Sequence, residues 1–589
     1  MNCFRRRFSI ASFADHGLVG CIAFAASLLS LSGVIGLGWD AALPLGARPV
    51  TTVPLFNLWT YQHTFEFVSG GADSYWCPEI FAPRRGMLAM SDPQPLTAAV
   101  YTFLRCLMSP VAAYNTLALI VLTTNGIAAG WMAVGLGCCR PAAIAATIGV
   151  VWLPFVAAEI GVLQMTVLAP VIWTTGLLAR FHRTAVPIDA GLIGIGISAC
   201  YLTSGYWGLW LALMSFVSGL ALLRREHLRR GPLVGIVAAA AIVIVCCGPF
   251  VFYQQTYVGD YHWDGAYIDS LAASVVDYVR VGDESVAAKM PWTLPAGPWP
   301  IRLYPGALLV IAAIVGSWQL LRETSGQTWE ANCKSSSMVS RRWLFVTLLM
   351  IQVALVLSFG RVEALGDGSP MNLLQSVVPG LDKLRSPYRL GMFVAVLMLP
   401  LAAIGIDRWW RWSPKFAAIV IMLGLAEIVP FSGFSAGATD ISAVLDAPPA
   451  WCEFLQRSKN AEEPDSDGRI VHLPMSGSEA GYNATCRAML LQSVHGRPMV
   501  DGYSGFFPPE VTRLRTQTLR FPDGPSAMAL LRAGTRWIVV DRSRMTRLQL
   551  SNLDRLPKLL RRRYVDEDAD VVVYRFTGEA IASVRDDQL

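Results

Sequence analysis

The spacing of apolar residues constrains this chain more than any motif in it. Eleven runs approach the roughly 20 residues needed to cross hydrocarbon, at about 17–38, 112–136, 141–158, 162–180, 187–203, 206–223, 232–252, 303–321, 343–359, 390–406 and 416–433. After residue 440 such runs disappear. Only 15% of the residues are charged, against about 25% in ordinary soluble domains, so one large soluble enzyme is excluded. The first run is too long for a cleaved leader, has no small-residue cleavage site followed by polar sequence, and reads as an anchor.

Orientation follows from the short connections. Arg5, Arg6 and Arg7 precede the first run. Alternate connections from there carry Arg140, then Arg180 and Arg183, then Arg224, Arg225, Arg229 and Arg230. The next in the series hold Arg322, Lys334, Arg341 and Arg342, then Arg408, Arg411 and Lys415. Basic residues concentrate in cytoplasmic loops, so the amino terminus is expected inside and, after eleven crossings, the carboxy terminus outside. The formal charge of +6 is mostly these loops and is no sign of nucleic acid.

The expected architecture is a polytopic α-helical membrane domain over residues 1–440, followed by an extracytoplasmic small α/β domain over 441–589. Short β-branched runs such as "RIVHLP", "RWIVVD" and "DVVVYRF" alternate there with helical patterns. Three outer segments, 39–111, 253–302 and 360–389, are too long to be plain connectors. In the first, residues 58–68 and 95–107 suit helices lying flat in the interface, with Pro78, Pro83, Pro93 and Pro95 fixing the backbone between them.

No CxxC pair, HExxH helix or P-loop occurs, so redox, zinc-protease and nucleotide chemistry lack support. Most of the twelve cysteines lie in or beside apolar runs, and Cys452 with Cys486 is the one disulfide worth testing. The informative residues are acids on the outer side: Asp40, Glu66, Asp73, Glu79 and Asp92, with Glu159 and Glu427 at the outer ends of their runs. A carboxylate there can act as a general base, its pKa raised by partial desolvation, or help hold a divalent cation. Such a cation is the only cofactor the acids allow for, and no ligand set defines it.

Against the basic bias of the inner loops, Arg280, Arg302, Lys383, Arg385 and Arg389 fall on the outer side. Guanidinium groups at headgroup level suit bidentate phosphate binding, and pairing with lipid phosphates or loop acids is the plainer alternative. Acids and arginines together describe a site for an anionic lipid headgroup and a polar acceptor. Trp59, Tyr61, Trp76, Tyr206 and Trp207 are candidates to stack on sugar rings, although interfacial belts also use such residues.

The order of several stretches resembles the GT-C superfamily of membrane glycosyltransferases, and more closely the YfhO-like bacterial membrane proteins. These stretches are "YWCPEIFAPRRGMLAMSDPQPLT" (75–97), "AAYNTLAL" (112–119), "LQMTVLAP" (163–170), "TSGYWGLWLAL" (203–213), "PGLDKLRSPYRLGMF" (379–393) and "VHGRPMVDGYSGFFPP" (494–509). The resemblance implies a polyprenyl-phosphate-linked sugar as donor, a cell-envelope acceptor and an acid in the first outer loop. It nominates Asp92 and Asp40 as that acid, with Glu79 beside Cys77, where related proteins carry an acid. Arg385 and Arg389 are the implied phosphate ligands, and Arg302 is kept with them from the charge argument. A non-catalytic envelope scaffold and a lipid or polysaccharide transporter are the competing classes; the transporter would call for midplane sites and paired repeats, of which the chain shows neither.

Overall fold

The computed structural model describes residues 10–586, apart from 47–50, 260, 282–285, 292, 295–300, 324–339, 362–365, 367, 431–437, 442–443, 445–447, 461–467, 476, 554–555 and 557. Every apolar run is built on helix. In chain order these helices are α1 (Ile10–Ser30), α2 (Ser32–Leu37), α3 (Thr52–Val68), α4 (Pro95–Arg105), α5 (Pro110–Gly135), α6 (Arg140–Val151), α7 (Pro154–Glu159), α8 (Ala169–Thr184) and α9 (Pro187–Tyr201). They continue as α10 (Gly205–Leu222), α11 (Arg230–Val258), α12 (Gly265–Ser270), α13 (Ala307–Glu323), α14 (Arg341–Ser358), α15 (Pro370–Val377), α16 (Gly391–Trp412) and α17 (Pro414–Ile428). Among the described residues six helices are long and apolar enough to cross a membrane, and this is a membrane protein.

The connections gather at two opposite ends of the bundle. At one end Arg224 meets His182 at 2.8 Å, Arg342 donates to the Leu223 carbonyl at 3.0 Å, and Asp407 accepts from the Cys139 N–H at 2.8 Å. These are the basic connections. At the other end lie the three long segments: Lys383 donates to the carbonyls of Gly259 and Tyr261, both at 2.8 Å, and the Tyr388 N–H to that of Leu271 at 3.2 Å.

Small residues set how closely the helices approach, as is usual where lipid provides little hydrophobic drive between helices. A Cβ on Gly316 of α13 would lie 2.0 Å from the Leu401 carbonyl oxygen of α16, and one on Gly405 would lie 2.0 Å from that of Ala312. The α1–α5 contact depends similarly on Gly126 and Gly130, which face Ala23 and Val19.

A small sheet region follows the bundle. Strand β1 (Ala42–Pro44) pairs antiparallel with β2 (Ala438–Asp440), joining the end of the first run to the chain after α17. A second sheet has the order β3-β4-β6-β5, with β3 (Arg469–Leu473) parallel to β4 (Thr535–Asp541). The strands β5 (Leu560–Asp566) and β6 (Val571–Phe576) form an antiparallel hairpin beside β4. The buried run of β4, Trp537 to Val540, is the core of this region.

Three expectations change. The run at 162–180 starts its helix only at Ala169: before it, Leu163–Met165 form a tight turn held by Asn125, which accepts from the Leu168 and Ala169 N–H groups and donates to the Thr166 carbonyl. Helix α3, expected to present its aromatics to an interface, is instead enclosed: most of its residues are buried among α4, α5 and the C-terminal helix Glu479–His495. Cys452 and Cys486 are buried free thiols, each packed in the apolar core as a small hydrophobe.

Replacing Gly405 by Val should force α13 and α16 apart and destabilise the protein by on the order of 3 kcal/mol. Gly20→Val, where a Cβ meets nothing within 4 Å, should leave the melting temperature in detergent unchanged.

Candidate functional site

The "SDPQPLT" stretch forms a rigid corner above the bundle. Pro95 opens α4, and Gln94 before it adopts a left-handed backbone at φ 50°. That conformation is costly for a residue with a Cβ, and hydrogen bonds hold it. Tyr61 donates to Gln94 Oε1 at 2.6 Å, Gln94 Nε2 to Asn57 at 3.1 Å, and Asn57 Nδ2 to Gln164 at 2.9 Å. This buried chain ties the corner to α3 and to the turn before α8.

Asp92 extends from the corner to the start of α10. Its Oδ1 accepts from the Gly205 N–H at 3.1 Å, where a helix N-terminus favours negative charge. Ser204 caps the same helix by accepting from the Trp207 N–H. Glycine is needed at 208, where a Cβ would lie only 2.2 Å from the Tyr201 Cα, and a Cβ at 205 would sit tightly, 3.1 Å from Asp92 Oδ1. Burial pushes the Asp92 carboxyl above the ordinary carboxylate range, while the Arg389 charge, the Gly205 N–H, the Arg385 charge and the Ser204 hydroxyl pull it back.

"LRSPYRLGMF" is thus brought beside Asp92 from nearly 300 positions away in the chain. Tyr206 of α10 donates to the Ser386 carbonyl and anchors the stretch. The Arg389 guanidinium lies 5.4 Å from the centre of the Tyr206 ring and 5.8 Å from that of Tyr388. Its Nε is buried without a hydrogen-bond partner. Tyr388 in turn donates to Glu159 at 3.1 Å, at the end of α7. Arg385 rests over Trp263 at 4.8 Å and donates to the Gly505 carbonyl at 3.5 Å. Arg389 and Arg385 are near enough for their charges to act on Asp92, yet neither is ion-paired with it. The result is one carboxylate and two guanidinium groups gathered at one place without a direct ion pair.

The remaining nominated residues lie elsewhere. Arg302 is partly buried, next to Leu303, over whose side chain Gly391 at the start of α16 packs. Asp40 is exposed in the turn before β1, a turn bound through the Trp39 and Ala42 carbonyls to Asn115 of α5. Glu79 is exposed and accepts from Gln492 at 3.3 Å, on the face shared with the C-terminal region. Glu427 accepts from Tyr304 and from the Ala307 N–H, serving the start of α13. Lys383 pairs with Asp382, and Arg280 with Asp277. Among the described residues no three His, Cys, Asp or Glu side chains gather where a metal ion would be held.

The sequence reading did not identify Gly205, Gln94, Asn57, Gln164 or Trp263 as parts of this site, and marked Gly505 only within the stretch 494–509. Backbone punctuation at "SDPQP" and "TSGYWG" was the available signal. The partners across the chain left none.

No protein-family model matches the chain, and no curated protein matches its sequence. Its fold does match a solved structure. The archaeal oligosaccharyltransferase AglB from Archaeoglobus fulgidus, in complex with an inhibitory peptide and a dolichol-phosphate, aligns with a TM-score of 0.51 at 12% identity, covering 97% of this chain and 75% of that one. The two chains share a fold. ArnT from Cupriavidus metallidurans aligns over 96% of this chain and 99% of its own in the apo state, with a TM-score of 0.38 and 15% identity. Bound to undecaprenyl phosphate it aligns with a TM-score of 0.37 at 14% identity, over 97% and 99%.

Tyr61→Phe removes the donor to Gln94 and should cost about 1–3 kcal/mol, the usual penalty for a buried acceptor left unpaired. Thermal melting in detergent measures it, with Tyr75→Phe, at a weaker 3.4 Å bond to the Pro93 carbonyl, as the milder control.

Proposed function

We propose that this chain is a YfhO-like membrane glycosyltransferase that moves a sugar from a polyprenyl-phosphate donor to a cell-envelope acceptor on the extracytoplasmic side. Residues 1–440 form its eleven-span membrane domain in the inner membrane, with the amino terminus in the cytoplasm, and 441–589 form an extracytoplasmic domain. The observation that carries this reading is the meeting of Asp92 with Arg385 and Arg389 at the end of the bundle away from the basic loops. The fold shared with AglB, whose complex contains a dolichol-phosphate, supports it.

In this reading Arg385 and Arg389 receive the donor phosphate. Each offers several N–H donors in a planar fork suited to phosphate oxygens. The free carboxylate oxygen of Asp92, the one not engaged by Gly205, accepts the proton of an acceptor hydroxyl. The acceptor oxygen then bonds to the anomeric carbon as the bond from that carbon to the phosphate oxygen breaks. The polyprenyl phosphate leaves with the electron pair of that bond, and the arginines stabilise its added negative charge. General-base catalysis of this kind contributes about 10²–10⁴-fold.

Asp92→Asn should lower kcat by about 10²–10⁴-fold with the melting temperature unchanged within a few degrees. Unimpaired transfer by that variant would instead favour the scaffold reading. Because Asp92 acts ionised and burial raises its pKa, kcat/KM should climb with pH along an acid limb lying above the ordinary carboxylate value of about 3.9. Arg389→Ala removes a positive charge that pulls the pKa down, so the limb should move to higher pH. A limb that stays in place, or moves to lower pH, contradicts the assignment.

A further inference from the structure

We infer that Gly505, in the C-terminal loop 501–508, is a positioning residue that holds Arg385 in place for the donor phosphate; the inference rests on the function proposed above. Arg385 forms no ion pair among the described residues. Its guanidinium is instead held by a neutral carbonyl, that of Gly505, and by the face of Trp263. That arrangement fixes the group without a contact ion pair, its charge acting on Asp92 only from a distance.

The loop reaches the site because residue 505 has no side chain. A Cβ there would lie 2.5 Å from the Met90 carbonyl oxygen and 3.3 Å from the Ser91 Cα, immediately before Asp92. The same carbonyl of Met90 accepts from the Phe506 N–H at 3.1 Å. Phe506 stacks on Trp263, with ring centres 4.6 Å apart and planes at 28°, so the indole under Arg385 is itself held by the loop. The Trp263 N–H donates to the Lys383 carbonyl at 3.1 Å, two residues from Arg385.

The loop is shaped in advance by buried charge. Arg515, from the helix Pro509–Gln517, pairs with Asp501 at 2.6 Å and donates to the Gly502 carbonyl at 2.7 Å. Its guanidinium also covers the Phe507 ring at 4.6 Å. The C-terminal region therefore contacts both halves of the site at one residue: the corner bearing Asp92 through the backbone of Met90, and the phosphate ligand through Arg385. Gly505 need not touch substrate to act in this way.

The test is a double-mutant cycle on the full chain in nanodiscs, reading the Kd for undecaprenyl phosphate by tryptophan fluorescence. Gly505→Ala should raise Kd about tenfold, as should Arg385→Ala. In the double variant the two effects should not multiply, because one acts through the other. Phe506→Leu, which keeps Gly505 but loses the stack, should raise Kd about threefold, again only when Arg385 is present; this arm decides the matter if Gly505→Ala fails to fold. Effects that multiply in the Arg385→Ala background, or Kd values that match wild type in both loop variants, overturn the positioning role and leave the phosphate assignment intact. An Arg385→Ala variant that binds as wild type overturns the phosphate assignment itself and the positioning role with it.

Discussion

A carboxylate drawn partly out of water must be compensated or it will not stay ionised, and the surroundings of the half-buried Asp92 are arranged around that requirement. The Gly205 N–H and the start of α10 supply fixed partial charge, and Arg389 and Arg385 supply full charges from a distance. Placing the carboxylate there requires a corner that neither straightens nor slides. Pro93 and Pro95 restrict the backbone, Gln94 is held in a strained conformation, and four side chains from Tyr61 to Gln164 pass hydrogen bonds into the bundle. Strain of this kind persists only where the surroundings over-determine it.

The rest of the molecule makes that corner possible. Glycines at 316, 405, 126 and 130 let helices meet backbone to backbone, fixing the bundle end on which the outer segments stand. The C-terminal region closes over the same end: the Ala82 N–H donates to the Met499 carbonyl at 2.8 Å, and Arg84 pairs with Glu510 at 3.0 Å. Helix α11 has the opposite character. It is the most apolar of the candidate spans and the least buried, as suits a helix facing lipid.

The fold was legible where hydrophobicity alone decides it. Each apolar run contains helix. Legibility failed where polar groups override the pattern. Asn125 binds three backbone groups and delays α8 to Ala169, although "LQMTVLA" reads as span. Helix α3 carries the aromatics of an interfacial helix but is enclosed by a C-terminal helix more than 400 positions later, which no local pattern announces. Of the proposed site, Asp92 was nominated from the rigid "SDPQP", and Arg385 and Arg389 from their position against the charge bias. Glu427 drew notice as an acid within a span and proved to serve the start of α13. Gly505 was noticeable only as part of the stretch 494–509, because a glycine's close approach is a property of the partner it meets.

The account places a lipid phosphate among Asp92, Arg385 and Arg389. The most direct test is an electron cryo-microscopy structure of the protein in nanodiscs with undecaprenyl phosphate. The account predicts phosphate density within hydrogen-bonding distance of both guanidinium groups, beside the start of α10. Density for the headgroup at the end that carries Arg224 and Arg342, or at the long-segment end but away from both arginines, would contradict it.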